Sequence, residues 1–100
     1  MQETGEKLLI VEDDPGLRDQ LRWCFDGYKV LEAEDRQTAL RQLQKHAPAI
    51  VLLDLGLPPD SANASEGLQT LEQIRTLAPE TKIIVVTGND ERQNAVRAVA

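Results

Sequence analysis

Four short apolar runs recur along this chain, each followed by residues whose apolar positions fall at helical spacing. That alternation constrains the fold more than any other feature. The runs centre on Leu8-Leu9-Ile10-Val11, Val30-Leu31, Ile50-Val51-Leu52-Leu53 and Ile83-Ile84-Val85-Val86. Continuous branched runs of this length suit strands buried on both faces. Strands alternating with helices imply right-handed crossovers and a parallel sheet with helices on both sides. The sequence therefore predicts a doubly wound α/β domain with strands over Lys7–Val11, 28–33, Ile50–Asp54 and 82–87.

The intervening helices carry their own start and stop signals. Asp14 suits a helix N-cap and Pro15 the first helical position, where its missing N–H costs nothing. Leu17, Leu21, Cys24 and Phe25 then form one apolar face as far as about Asp26, and Gly27 is expected to end the helix. Asp35 caps a second helix with the face Ala39, Leu40, Leu43 and Ala47, ended by Pro48. Residues 58–64 form a loop by composition, and Ser65 is expected to cap a third helix with the face Leu68, Leu71, Ile74 and Leu77/Ala78. A fourth helix is predicted over 90–100, with Val96 and Val99 turned inward. No repeat or linker divides the chain.

The ends of the strands point to chemistry. The first run finishes on Glu12-Asp13-Asp14, the third on Asp54, and the fourth on Thr87-Gly88. In an open parallel sheet, ligands bind outside the carboxyl ends of the strands. Crowded carboxylates repel unless a cation joins them, so a Mg²⁺ site is expected there, with one carboxylate free to accept phosphate. Taken singly these residues are bland. A lone Asp54 reads as a turn residue and a lone Thr87 as a strand former; their coincidence with Glu12-Asp13 carries the functional reading.

Composition excludes several classes. A net charge of −6 with scattered basic residues argues against direct nucleic-acid binding. The single cysteine, Cys24, cannot form an internal disulfide, which fits a cytoplasmic protein. No stretch has membrane-spanning length, and the polar leader 1–6 is unlike a signal peptide. Cys24, Trp23 and Tyr28 are read as packing residues, and His46 as a residue favoured by the helix dipole near a C-terminus.

These residues carry a resemblance. The stretch from Lys7 onward resembles a response-regulator receiver domain of the flavodoxin-like, chemotaxis-regulator type. Glu12 and Asp13 match its acidic pair, followed by Arg18 five positions after Asp13. Asp54 matches its phosphoacceptor, with Pro58 four residues on, and Thr87 its strand-end hydroxyl. The strings Leu9-Ile10-Val11-Glu12-Asp13-Asp14-Pro15-Gly16-Leu17 and Asp54-Leu55-Gly56-Leu57-Pro58-Pro59 are similar to PEP-CTERM-box regulators, related to the nitrogen-regulation type of sigma-54 activator.

The resemblance implies that Asp54 takes phosphate from a sensor histidine kinase. It implies Mg²⁺ held by Asp13, Asp54 and the Gly56 carbonyl, with Glu12 reaching the ion through water. Thr87 would sense the phosphoryl group and shift the fourth strand and helix to control a transcriptional output, while Gly88 and Asn89 flank the phosphoryl. ATPase and DNA-binding output domains are expected downstream.

Two departures stand out. The 56–67 loop is long for the family, and a fifth strand with its lysine, then a fifth helix, are not found within the chain. The expectation is a receiver over 7–100 with four βα units and the fifth missing, its open fourth-strand edge seeking a homodimer or segment exchange. A module that only binds ions and partners is the second reading. A haloacid-dehalogenase-like phosphatase ranks low, because Gly56 stands where that class needs a second acid.

Overall fold

The computed structural model describes residues 5–59, 64–86 and 96–99. Its elements run β1 (Lys7–Val11), α1 (Pro15–Cys24), β2 (Lys29–Ala33), α2 (Arg36–His46), β3 (Ile50–Asp54), α3 (Ser65–Leu77), β4 (Lys82–Val86) and β5 (Val96–Val99). They form one five-stranded sheet in the order β2-β1-β3-β4-β5. The first four strands are parallel, as the alternating pattern predicts.

Alternate side chains of each strand point to opposite faces, so every strand feeds two cores. One face is covered by α2 and α3 and holds Leu9, Val11, Val51, Leu53, Ile83 and Val85 with Ala39, Leu43, Leu71 and Ile74. The other holds a smaller cluster of Leu8, Ile10 and Leu52, against which Leu21 and Phe25 of α1 pack. On that second face Ile50, Ile84 and Val86 are only half-buried.

Local signals explain the helix starts. The Asp14 side chain accepts from Gly16 N at 2.9 Å and Leu17 N at 3.4 Å, ahead of Pro15 at the first helical position. Asp35 accepts from the Thr38 hydroxyl and from Thr38 N at 2.8 Å, and these bonds, the hydroxyl's foremost, hold its carboxyl below the usual range. Both acids satisfy helix N–H groups that have no partner in the helix.

Several expectations give way to packing. The helix α1 ends at Cys24 with Phe25 as its cap, two residues before Gly27. Cys24 is exposed, and Trp23 is 73% exposed, so neither is a core residue. Ala47 caps α2 in the left-handed region at φ 48° and does not extend the helix face. Ser65 lies inside α3 and Ala64 takes the cap position. The buried side of α3 is Gly67, Thr70, Leu71 and Ile74, which leaves Leu68 and Leu77 about half exposed. The helix is rotated because Gly67 presses against the backbone of Leu55, an approach that no side chain could make.

The largest correction concerns the predicted fourth helix. Val96–Val99 is a strand, antiparallel to β4, with Val86↔Val96 and Ile83↔Val99 as partners. An apolar β4 edge presents a row of unpaired backbone groups, and a segment with β-branched residues at both ends satisfies them. The edge expected to seek a second chain is therefore paired within this one.

Candidate metal and phosphoryl site

The site follows from strand register. Val11 lies beside both Leu53 of β3 and Ala33 of β2. The next residue along β1, Glu12, therefore emerges level with Asp54, and its N–H donates to the Ala33 carbonyl at 2.9 Å. Asp13 follows in the turn before α1. One carboxylate oxygen from each of Glu12, Asp13 and Asp54 lies within 4.8 Å of the others. Glu12 and Asp54 are buried, whereas Asp13 is half-buried at the rim. Asp14 stands apart as the α1 cap.

Backbone N–H groups support the cluster. Asp14 N donates to Glu12 Oε2 at 3.1 Å, and Gly56 N donates to Asp54 Oδ1 at 3.3 Å. The latter contact sets Gly56 beside the Asp54 carboxylate, as its position two residues on requires. Among the described residues no cation of the chain pairs with any of the three acids; the ion pairs are Arg18 and Arg22 with Glu32, and Arg36 with Glu66. Thr87, Gly88 and Asn89 lie outside the described residues. Register makes Val86, which precedes Thr87, the β4 partner of Asp54.

Burial without a counter-charge shifts the protonation of Glu12 and Asp54. Glu12 is pushed up to about 8, first by burial and then by the negative charges of Asp54 and Asp13, against the opposing Asp14 N–H. Asp54 is raised as well, by burial first and by Asp13, while the Gly56 N–H opposes the shift. The folded state therefore holds a proton on Glu12 that the unfolded chain, at 4.5, has released. Wherever the folded state binds more protons, stability falls as pH rises. In a chelator, urea-denaturation midpoints are expected to fall from pH 4.5 to about 8 and to level off above that. The steepest part would cost roughly 1 kcal/mol per pH unit. A midpoint that is flat or rising across this window would contradict the geometry.

The family model of the response regulator receiver domain matches residues 8–100. The chain belongs to the response regulator receiver family. A receiver is a signalling domain of two-component regulators, and relatives of this one include transcriptional regulators. PhoB, the phosphate regulon transcriptional regulatory protein of Escherichia coli, is 28% identical over 101 aligned positions, spanning 95% of this chain and 41% of PhoB. The response regulator MprA of Mycolicibacterium vanbaalenii is 33% identical over 86 positions, spanning 84% of this chain and 35% of MprA. The receiver thus spans less than half the length of these curated relatives.

Solved structures give the same fold. A CheY-like receiver domain protein from Methanospirillum hungatei superposes with a TM-score of 0.75 at 30% identity, covering 91% of this chain and 70% of its own. NtrX from Brucella abortus, solved with ADP, gives 0.72 at 27%, covering 89% of this chain and 20% of NtrX. The NtrX likeness accords with the nitrogen-regulation resemblance, but PhoB and MprA are similar at comparable identity. No described helix is long and apolar enough to cross a membrane.

Proposed function

We propose that this receiver accepts a phosphoryl group on Asp54 from the phosphohistidine of a sensor histidine kinase. The observation that carries this reading is the convergence of Glu12, Asp13 and Asp54 within 4.8 Å with no cation of the chain paired to them among the described residues. Oxygen donors of this charge suit a small hard cation, and Asp13, Asp54 and the Gly56 carbonyl would hold Mg²⁺, with Glu12 behind them through water. Bound there, the ion would neutralise charge that builds between Asp54 and the incoming phosphoryl oxygens. An Asp54 oxygen forms the new O–P bond as the P–N bond to the kinase imidazole breaks, and the imidazole leaves with the electron pair. The Gly56 N–H, already on the Asp54 carboxylate, orients it for attack.

Thr87, next after the β4 partner of Asp54, would hydrogen-bond the new phosphoryl group, with Gly88 and Asn89 flanking it. The charge change would then shift an existing equilibrium at the β4 side of the sheet. The domain signals and is not an enzyme acting on outside substrates. A transcriptional output in a longer protein is supported by likeness to PhoB, an adenine-nucleotide-binding output by likeness to NtrX, solved with ADP, and a cytoplasmic place by membership of the receiver family.

The second reading is a module that binds Mg²⁺ and partners without accepting phosphate. Intact-mass spectrometry after incubation with acetyl phosphate and Mg²⁺ separates the readings. One acid-stable, base-labile phosphoryl adduct is expected, absent in Asp54→Asn. No adduct on a protein that binds Mg²⁺ would favour the binding module.

A further inference from the structure

The acidic strand end is held from outside the pocket by an arginine. Arg18, on the first turns of α1, donates from Nη1 to the main-chain carbonyl of Glu12 at 2.8 Å. Its Nε donates to Glu32 Oε1 at 3.2 Å, on the neighbouring strand β2. Glu32 is itself engaged by Arg22 Nη1 at 2.8 Å, one helical turn further along α1. The Arg18 side chain is 18% exposed, so this contact is largely withdrawn from solvent. The planar guanidinium can serve a carbonyl and a carboxylate at once, which an ammonium cannot do in the same geometry.

We propose that Arg18 is a positioning residue for the acidic pocket: its guanidinium, pinned by Glu32, holds the main chain at Glu12 so that Glu12 and Asp13 face Asp54. Glu12 is the residue at which β1 leaves the sheet, and its peptide is fixed on both sides. The N–H goes to the Ala33 carbonyl and the C=O to Arg18. Without Arg18 the carbonyl loses its partner, and the following peptide, which carries Asp13, is free to turn. Glu32 and Arg22 keep the guanidinium in place and touch none of the three acids, so they act through Arg18. The inference rests on the reading of this pocket as a Mg²⁺ site. Residues that orient metal ligands typically govern affinity on the order of tenfold when removed.

Positioning and plain electrostatics predict opposite signs. Arg18 brings positive charge near a cation site, so its removal should tighten Mg²⁺ binding if charge alone matters. If Arg18 positions the strand end, removal should weaken binding. Calorimetric Mg²⁺ titration of the full chain and of Arg18→Gln and Arg18→Lys would decide, with urea melts of each in chelator. The expected result is a Mg²⁺ Kd raised about tenfold in Arg18→Gln. A smaller rise is expected in Arg18→Lys, which keeps the charge and loses the fork. A Kd that is unchanged or lower in Arg18→Gln would overturn the proposal, as would a loss of stability with Kd unchanged in both variants. Failure of the unsubstituted chain to bind Mg²⁺ would instead overturn the metal-site reading, and this proposal with it.

Discussion

In chelator at pH 8, Asp54→Asn is expected to be more stable than the unsubstituted domain, by about 1–3 kcal/mol. Asp54 is buried beside Glu12 and Asp13, and its charge is one of the forces that drive Glu12 up to about 8. Asparagine keeps the shape and can still accept the Gly56 N–H, while removing one of three mutually repelling charges. The gain should shrink at pH 5, where Glu12 already carries a proton. The fall of stability with pH should flatten in the variant for the same reason. Adding Mg²⁺ should stabilise the unsubstituted domain more than the variant and so narrow or reverse the order. Urea denaturation at both pH values, with and without Mg²⁺, reads all of these. An Asp54→Asn protein less stable than its parent in chelator at pH 8 would mean that the three acids are not in conflict.

The second large effect falls on a residue with no side chain. A Cβ built on Gly67 would stand 2.2 Å from Leu55 Cα and 2.3 Å from the Leu55 carbonyl oxygen. Both atoms are backbone, so no rotamer change can relieve the overlap. Alanine in place of glycine ordinarily favours a helix by about 1 kcal/mol. Here the clash should outweigh that gain, and Gly67→Ala is expected to lose about 2–4 kcal/mol net. Because Leu55 follows Asp54 directly, the displaced backbone should also lower phosphorylation of whatever protein remains folded. Gly16→Ala is the control: its Cβ would meet only Asp14 Oδ1 at 3.4 Å, and stability should hold or rise slightly. If Gly67→Ala melts with its parent, α3 cannot be seated against the strand exit as described.

What could be read from the sequence was what local chemistry decides. Buried parallel strands are near-continuous branched runs, so β1, β3 and β4 announce themselves, and Asp14 and Asp35 mark helix starts because unpaired N–H groups need an acceptor there. The convergence of Glu12, Asp13 and Asp54 was legible because parallel strands bring their carboxyl ends to one edge. The errors arose where a distant contact overrode the local pattern. Apolar spacing alone puts Leu68 and Leu77 inside, but the Gly67–Leu55 approach turns α3 so that Gly67 and Thr70 share the inner side with Leu71 and Ile74. Cys24 continues the periodicity of α1 onto a side where the sheet offers no cover, and its neighbour Trp23 is exposed with it. The stretch Val96–Val99 has a helical pattern, yet the unsatisfied β4 edge draws it into a strand. Only the Gly67 contact carried a hint in the sequence, a glycine inside an otherwise regular helical pattern.

The lateral bonding of β1 to β3 has a consequence for discrimination among ions. Asp54 ends β3 and Asp13 lies two residues past the end of β1. The spacing of these adjacent strands is fixed by main-chain hydrogen bonds, so the span between the two carboxylates is largely an attribute of the sheet. A flexible acidic loop can open to wrap a larger ion and collect extra ligands. A cradle anchored on two neighbouring strands has little room to expand, so it should rank divalent ions by radius and prefer Mg²⁺ to Ca²⁺ even though both are hard and doubly charged.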